Sequence, residues 1–302
     1  MASSDSATQG GDLPPQRKSK EISLRQAGER IAAAKTVHAM NSAMALVRAG
    51  IRAGAKNLTV IPQVTSNLSV DLLIAAGCVE KLYISYIGFE TYGFAPAFRR
   101  AAEEKSISVV ESDEAFIVLG TRAAASGMPY VPIRRIYEAT DLPRLNPLLK
   151  KVLDPFTGEE TYAIPPLPGD VCLIHAQECD EFGNAQIWSG NQQEIDKAMA
   201  SKFVIVSTER IVSVDRTREN VDKVTIPGYL VHAVVHAPFG AHPLVWARHY
   251  ESDTAHLKAY FDAHAQGKVA DYLEKFVYGC KDEADYIERV GVRQVMSLMR
   301  NV

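Results

Sequence analysis

The sequence predicts an α/β fold, an open and mostly parallel layered sheet with helices on both faces, followed by a helical C-terminal tail. Two observations predict it. Short apolar runs of strand length alternate with segments whose apolar residues recur at helical spacing. The chain also has 302 residues, of which 47% are apolar and 23% charged, enough for a large core. Strands separated by helices are typical of βαβ units, in which the strands lie parallel.

The alternation begins with Met44, Leu46, Val47 and Ile51, which lie on one face of a helix that ends before Gly54. The predicted elements that follow are strand 57–61, helix 70–76, strand 82–87, helix 96–104, strand 107–110, helix 113–125, strand 171–176, helix 192–200 and strand 203–207. Residues 138–169 carry many prolines and predict a surface loop between two halves of the sheet.

Three regions are predicted along the chain. Residues 1–19 are polar and rich in Ser, Gly, Gln and Pro, which predicts a disordered N-terminal segment. Residues 20–252 form the α/β domain. Residues 253–302 have a helical pattern throughout and form an extension that packs on the body or against a partner.

Composition excludes several classes of function. A net charge of −3 spread along the chain gives no basic face for nucleic acid. No apolar run is long enough to span a membrane, and the polar N-terminus does not resemble a signal peptide, so we expect a cytoplasmic protein that binds a metabolite or another protein. Four widely spaced cysteines without a CxxC pair predict free thiols, namely Cys78, Cys172, Cys179 and Cys280.

The histidines are candidates for a metal site. His232, His236 and His242 lie close together, with His249 as a possible fourth ligand, but Pro and Gly interrupt the spacing and no carboxylate is near. The sequence therefore favours structural or surface histidines and no metal. For His175 and Cys179, which precede an Asp/Gly/Asn segment, it favours a strand that runs into a turn.

Three carboxylates, Glu111, Asp113 and Glu114, stand between a predicted strand and a predicted helix. Side chains at the carboxyl ends of parallel strands line the ligand crevice of α/β sheets, which makes these residues candidates for a catalytic acid. The same residues could instead cap the helix and complement its dipole, with Ser112 or Asp113 as the cap. The pattern alone leaves both interpretations open.

A series of segments resembles the A subunits of glutaconate-type (family I) CoA-transferases. The segments are MALVRAGIRAGAKNLTVIP, SVDLLIAAGCVEKLYISYIGFE, AAASGMPYVPIR, DPFTGEE, VCLIHAQECDEFGNAQIWSG, DKAMASKFVIVSTERIV and IPGYLVHAVVHAPFGAHP, and they follow in the family's order over about residues 24–250. The resemblance implies an enzyme that acts on an acyl-CoA, with coenzyme A as part of the substrate and no other cofactor. It also implies a B subunit, two A and two B chains in the assembly, and a nucleophilic glutamate on the B subunit.

The resemblance implies site residues on this chain as well. A Gly-rich loop near the start of the A subunit is expected to approach the thioester oxygen, and here Ala32, Ala33, Ala34, Lys35 and Thr36 stand where its glycines would be. Lys35, His38 and Asn41 are then candidate side-chain donors, and Glu90, Arg122 and Arg134 are further substrate-binding candidates. For the arginines, including Arg135, surface ion pairing is the favoured use.

Some relatives in this family are not transferases. One branch opens the ring of a cyclic diketone acyl-CoA by hydrolysis with a glutamate of its A subunit, in a segment that SDEAFIVLGTRAAA resembles, and Glu114 occupies that glutamate's place. Another branch decarboxylates glutaconyl-CoA without that acid. The sequence thus predicts a CoA-transferase subunit, with two alternatives: a ring-opening hydrolase that uses Glu114 as general base with a raised pKa, and a non-catalytic subunit that completes the B subunit's site.

Overall fold

The computed structural model describes residues 17–188 and 193–300, apart from two side chains, those of residues 135 and 136. Most of the segment predicted to be disordered, residues 1–16, lies outside the described residues. The strands are β1 (Thr36–Ala39), β2 (Leu58–Pro62), β3 (Thr65–Ser66), β4 (Val79–Ile84), β5 (Tyr86–Phe89), β6 (Gly93–Phe94), β7 (Ser108–Glu111), β8 (Val131–Ile133), β9 (Lys150–Leu153), β10 (Glu160–Ile164), β11 (Gly169–Asp180), β12 (Ala185–Gln186), β13 (Ser201–Val212) and β14 (Ala233–His236).

The helices alternate with these strands and then dominate the last fifty residues. They are α1 (Leu24–Ala32), α2 (Met44–Arg52), α3 (Leu68–Ala75), α4 (Pro96–Glu103), α5 (Glu114–Ala125), α6 (Leu142–Leu145), α7 (Gln193–Met199), α8 (Val214–Glu219), α9 (Thr254–Ala265), α10 (Val269–Leu273), α11 (Glu283–Val290) and α12 (Val292–Ser297). A π-helical turn, Glu274–Tyr278, continues α10. Within the described ranges no helix is long and apolar enough to cross a membrane.

Seven parallel strands form the central sheet in the order β14-β13-β11-β1-β2-β4-β7, and β12 adds to β11 in the antiparallel direction. Two three-stranded sheets, β8-β10-β9 and β3-β5-β6, flank it. The predicted α/β class with a mostly parallel sheet is confirmed. Because the strands are parallel, all their carboxyl ends meet at one side of the sheet, which we call the carboxyl edge.

Both faces of the central sheet are buried. On β13, Val204 and Val206 pack into one apolar cluster, whereas Ile205 between them packs into the cluster on the opposite face. Successive side chains of a strand point to opposite faces, so a strand covered on both sides needs an unbroken apolar run. The run FVIV supplies it here.

The structure differs from the predicted elements at several places. Helix α1 and strand β1 were not predicted, although β1 lies in the middle of the sheet between β11 and β2. The predicted loop 138–169 contains the β9–β10 hairpin. The predicted strand 82–87 is divided between β4 and β5, and the predicted start of helix 192–200 at residue 192 lies outside the described residues.

The helical C-terminal extension packs on the body of this chain. The hydroxyl group of Tyr260 on α9 donates a hydrogen bond of 2.6 Å to Asp71 on α3. Arg48 on α2 forms a buried ion pair with Glu283 on α11. Burial raises the pKa of Asp71 to about 6, against the opposing hydrogen bonds from Tyr260 and two backbone N–H groups. These buried polar contacts fix the extension to the sheet's helical layer.

Candidate functional site

A cleft of about 690 Å³ opens at the carboxyl edge of the sheet, a volume in the range of small-molecule sites. The loops that follow β1, β2 and β4 form it together with residues 244–247. Its polar lining includes Asn41, Ser42, Gln63, Thr65, Ser66, Asn67, Glu90 and Glu194, and its apolar wall includes Phe89, Leu244, Trp246 and Leu257. A mostly apolar concavity with a few convergent polar groups is the usual form of a ligand site.

The loop between β1 and α2 forms one side of the cleft. The side-chain amide of Asn41 donates a hydrogen bond of 2.6 Å to the carbonyl oxygen of Thr65, and its backbone N–H donates to Oε1 of Gln63 at 3.3 Å. Helix α2 begins directly after this loop, and its N-cap residue Ala43 provides no side-chain cap. The positive end of the helix dipole therefore lies beside the cleft, where it suits an oxygen that gains negative charge.

Glu194, in the first turn of α7, is the most perturbed carboxyl group of the cleft. Only 5% of the residue is exposed, and its Oε2 atom has no hydrogen-bond partner in the described part of the chain. Burial raises its pKa to about 7, against the opposing effects of a backbone N–H and of the Lys197 ammonium group. Sequence reasoning missed this residue, since its helix follows the short antiparallel strand β12 and not one of the parallel strands whose carboxyl ends mark the crevice.

Lys197 lies one turn further along α7 and is fully buried. Its ammonium group has one hydrogen-bond acceptor at 3.4 Å, the carbonyl oxygen of Ile61. Burial lowers its pKa to about 8. The same burial, together with the charge of Lys197, lowers the pKa of His38 well below 6.5, so the imidazole is neutral.

Two of the predicted donors lie away from the cleft. Residues 32–36 form the end of α1 and the entry into β1, at the amino end of the strand, so the loop that reaches the cleft is residues 40–43. The placement of residues 32–36 at the position of the Gly-rich loop is therefore wrong. Lys35 is exposed near Asp170, and His38 is enclosed by Lys197 and Ser201. Asn41 and Glu90, in contrast, line the cleft.

The three carboxylates before α5 have separate environments. Asp113 is the N-cap of α5, accepting from the backbone N–H of Phe116 at 2.7 Å and from the hydroxyl group of Tyr137 at 2.8 Å. The capping interpretation is thus confirmed for Asp113. Glu114 is exposed in the first helical turn at the carboxyl edge, outside the residues that line the cleft. In the described part of the chain its carboxylate forms no hydrogen bond or ion pair.

Arg122 and Arg134 lie on the surface. Nε of Arg122 contacts Oδ2 of Asp196 at 2.8 Å and joins α5 to α7. Arg134 is exposed, whereas the side chain at position 135 is not described. Surface ion pairing, the favoured interpretation, is confirmed for Arg122.

The histidines have structural partners. His242 is buried between the hydroxyl group of Tyr286 at 2.7 Å and a carboxylate oxygen of Asp253 at 3.1 Å. No group of three metal-ligating side chains is found among the described residues. As predicted, His175 and Cys179 lie on a strand, β11, which is followed by a turn.

His175 belongs to a network that resembles a catalytic triad in composition. Its Nδ1 atom lies 2.9 Å from Oγ of Ser207, and its Nε2 atom lies 2.9 Å from Oε1 of Glu209. Tyr250 donates to the same carboxylate oxygen at 2.6 Å. Ser207 and Tyr250 are at most 1% exposed, so no substrate reaches this hydroxyl and the network stabilises the core.

The sequence profile of one protein family, described as "Coenzyme A transferase", matches residues 36–237. An uncharacterised protein of Archaeoglobus fulgidus is 37% identical over 255 residues, which make up 83% of this chain and 56% of that protein. The A subunit of the 3-oxoadipate CoA-transferase of Pseudomonas knackmussii is 33% identical over 80% of this chain and 85% of its own length. The cholesterol ring-cleaving hydrolase IpdA subunit of Rhodococcus jostii is 30% identical over 89% of this chain and 95% of its own length.

The fold agrees with these sequence matches. The crystal structure of glutaconate coenzyme A-transferase from Acidaminococcus fermentans superposes with a TM-score of 0.87 at 26% identity, over 93% of this chain and 96% of that one. The decarboxylase AibA/AibB superposes with a TM-score of 0.74 at 28% identity, over 85% of this chain and 98% of that one.

Proposed function

Because this chain belongs to the coenzyme A transferase family, a family of enzymes, we propose that it is the A subunit of a two-subunit acyl-CoA enzyme that transfers CoA between carboxylic acids. Coenzyme A is then part of the substrate. The partner is a B subunit, which the names of the related A subunits suggest, in an assembly of two A and two B chains. The proposed site is the cleft at the carboxyl edge.

One observation carries this proposal: the cleft offers groups that bind and polarise a substrate but no activated hydroxyl nucleophile. Among its described lining residues no hydroxyl group is bonded to a histidine or a carboxylate, and the hydroxyl group of Ser66 donates to the carbonyl oxygen of Gln63 at 2.7 Å. Hydroxyl nucleophiles need an adjacent base, which leaves a carboxylate as the attacking group. In this proposal that carboxylate is the glutamate of the B subunit that the family resemblance implies.

In this proposal the thioester carbonyl oxygen lies beside the start of α2. Asn41 holds the β1–α2 loop against the β2–β3 connection, so the start of α2 keeps a fixed position beside the oxygen as charge develops on it. The apolar wall with Leu244 and Trp246 excludes water from the acyl chain. Glu194, whose pKa of about 7 leaves it partly protonated near neutral pH, can donate a hydrogen bond to a polar oxygen of the acyl group.

A second candidate function is hydrolytic ring opening of a cyclic acyl-CoA, with Glu114 as general base. Two observations favour it. The ring-cleaving hydrolase subunit of Rhodococcus jostii matches 89% of this chain, more than the related transferase subunits do. Glu114 is exposed at the carboxyl edge without a partner in the described chain, where a second subunit could enclose it. There its carboxylate would act as a general base toward water or a substrate C–H.

A third candidate is a non-catalytic subunit that completes the site of the B subunit. Turnover by the co-expressed complex separates the three candidates, with the Glu114→Ala variant as the probe. Loss of turnover in a complex that still assembles supports the hydrolase. Unchanged turnover excludes it, and the Asn41→Ala variant then separates a contributing A subunit, which loses activity, from a purely structural one, which does not.

A further inference from the structure

A second cavity of about 580 Å³ lies beside the carboxyl ends of β11 and β13, and no step of the proposed reaction uses it. Its charged lining residues are Glu178, Arg216, Asp222, Lys223 and Arg248, and its other polar groups include Gln186 and Trp188. The segment that carries Trp246 and Ala247 lines the first cleft, and Arg248 next to it lines the second cavity.

Strand register places the polar groups of this cavity on one face. Glu178 of β11 pairs with Gln186 of β12 on one side and with Arg210 of β13 on the other. Residues directly opposite in neighbouring strands point to the same face of the sheet. The three side chains thus lie side by side, and Arg216 of α8 approaches the same face.

Glu178, the acidic residue of this row, already has hydrogen-bond donors for both carboxylate oxygens. Oε1 of Glu178 accepts hydrogen bonds from Arg210 at 2.5 Å and from Arg216 at 2.8 Å, and its Oε2 accepts from Nε of Arg216 at 2.9 Å. Glu178 is 1% exposed, and two guanidinium groups compensate its single charge. Four cations at the cavity, Arg210, Arg216, Lys223 and Arg248, therefore exceed its two carboxylates, Glu178 and Asp222, by two charges.

Two buried donors in the cavity have no acceptor among residues 17–188 and 193–300. Gln186 is 2% exposed, and its Nε2 atom is without a hydrogen-bond partner. The indole Nε1 of Trp188 is likewise buried and unpaired, while the backbone N–H of Trp188 is fixed by Oε1 of Gln177 at 2.9 Å. Buried N–H groups without acceptors are costly, and an indole N–H cannot accept a hydrogen bond. The occupant that satisfies both atoms must bring acceptor oxygens.

Two cationic side chains of the second cavity, Arg248 and Lys223, also favour an occupant with negatively charged acceptor oxygens. Arg248 has a left-handed backbone conformation, with φ of 61°, which residues other than glycine adopt at a cost. It is exposed, and no carboxylate of the described chain pairs with it. Lys223 donates to Oδ1 of Asn220 at 2.7 Å, an interaction that leaves its charge uncompensated.

We infer that the second cavity is a binding site for a phosphate-bearing small molecule. Three segments of the chain supply donors, namely Gln186 with Trp188, Arg216 with Lys223, and Arg248. These are more donors than the two oxygens of one carboxylate use, whereas a phosphate group offers three acceptor oxygens and up to two charges. The volume leaves room for an organic group beyond the phosphate. This site does not depend on the proposed reaction, so either proposal can fail without the other.

Isothermal titration calorimetry of the full chain at fixed ionic strength tests the inference, with three titrants. They are inorganic phosphate, adenosine 3′,5′-bisphosphate, which is the phosphorylated end of coenzyme A, and pantetheine, which lacks phosphate. We expect both phosphates to bind and pantetheine not to compete with them. An affinity for the nucleotide at least about tenfold higher identifies coenzyme A as the source of the phosphate, and equal affinities identify free phosphate.

Three variants locate the binding. Trp188→Phe keeps a ring but removes the indole N–H, Gln186→Leu removes the amide, and Arg248→Gln removes one charge. Each should weaken binding by roughly tenfold or more, as expected for a lost bond to a charged group. Arg218→Gln, which removes a charge from the same helix as Arg216 but outside the cavity, and Tyr229→Phe, at an exposed aromatic residue outside both cavities, are the controls. The inference is wrong if the unaltered chain binds neither phosphate, or if the three variants bind as tightly as the controls.

Discussion

The Cζ atom of Arg48 on α2 lies 3.8 Å from the centre of the Tyr286 ring on α11, and the same guanidinium forms an ion pair with Glu283. It also donates a hydrogen bond of 2.8 Å to the carbonyl oxygen of His242, in the segment before the extension. Arg48 is 2% exposed, so its charge depends on these partners. This contact is the main polar link between the central α/β layer and the C-terminal extension.

Glu283→Gln should therefore destabilise the protein strongly. Removal of one partner leaves the buried guanidinium without a compensating charge, at a cost of about 3–5 kcal/mol in the free energy of unfolding. Urea denaturation at neutral pH measures it. The control is Glu29→Gln, which removes the partner of Arg25 in a pair whose side chains are 79% and 55% exposed and should cost less than about 1 kcal/mol. Equal costs for the two variants would show that Arg48 is not held as described.

Asn41→Ala should lower kcat/KM of the complex with the B subunit by roughly ten- to a hundredfold, because small displacements of positioning groups have effects of this size. The variant loses the hydrogen bond to the carbonyl oxygen of Thr65, and the loop beside the thioester loses its anchor. Steady-state kinetics and a thermal melt measure activity and folding together. Gln266→Ala, which removes an exposed amide at the end of α9, should leave both unchanged.

Glu194→Gln should change the stability of the protein in a pH-dependent way. The pKa of Glu194 is about 7 in the folded chain and 4.5 as its ordinary value, so its contribution to stability is fully present below pH 4.5 and is lost as the pH rises through 7. The amide does not ionise. The variant should therefore match the unaltered protein near pH 5 and exceed its free energy of unfolding by up to about 3 kcal/mol at pH 8.

Urea denaturation at both pH values checks the Glu194 prediction, with Glu104→Gln, an exposed glutamate at the end of α4, as the control. The difference between variant and unaltered protein should grow from pH 5 to pH 8 at position 194 and stay near zero at position 104. A difference at position 194 that is the same at both pH values would contradict the raised pKa.

The lowered pKa of His256 predicts that the protein loses stability in acid. Burial, followed by the nearby charges of His242, Arg48 and Lys275, lowers its pKa to about 3, with Asp253 opposing. The folded chain then binds no proton at His256 near pH 5, whereas the unfolded chain, with an ordinary pKa of 6.5, does. This one group should remove about 2 kcal/mol of stability between pH 7 and pH 5.

Asp253 does not change this expectation, because its pKa of about 2 keeps it ionised over that range. The lowered pKa of His242 acts in the same direction as that of His256. His256→Gln keeps an acceptor for the hydroxyl group of Tyr272, which donates to Nε2 at 2.8 Å, but does not titrate. Denaturant unfolding at pH 7 and pH 5 should show a smaller decrease for the variant. An unchanged decrease would mean that His256 is protonated in the folded chain.

Glu114→Gln distinguishes the two proposed reactions. In a transferase that uses a nucleophile of the B subunit, the substitution should change kcat by less than about tenfold, since the amide keeps the shape of the side chain. In a hydrolase that uses Glu114 as the base, it should lower kcat by at least about a hundredfold. Asp113→Ala is the companion variant. It removes the N-cap of the same helix, should cost about 1 kcal/mol of stability and should leave kcat unchanged.

The pattern of alternating elements was sufficient to predict the fold class, because strands buried on both faces must be apolar runs whatever their order. It could not predict β1. This strand has four residues, TVHA, and its polar His38 obscures the apolar run. The start of α1 did carry a signal, the capping box formed by Ser23 and Gln26. The β9–β10 hairpin was hidden by the prolines around it, which lie outside its paired residues.

The site was predictable only in part, because a cleft is assembled by contacts between distant segments. Asn41 and Glu90 follow strands whose neighbours could be inferred from the parallel topology, and both line the cleft. Glu194 enters it from α7, more than a hundred residues later, and its burial depends on the packing of that helix. Lys35 lies at the opposite end of β1. It was expected in the site because the start of that strand was not recognised in the sequence.

We propose that this chain contributes the cleft at the carboxyl edge to a site for acyl-CoA chemistry. Mass spectrometry of the products tests this proposal, after the co-expressed A and B complex is incubated with a panel of acyl-CoAs in ¹⁸O water, with and without an acceptor acid. We expect CoA on the acceptor, or, for the second candidate, an intact thioester with one labelled water added, and in either case a loss of product with Asn41→Ala. Recovery of every acyl-CoA unchanged, or products that do not depend on Asn41, would contradict it.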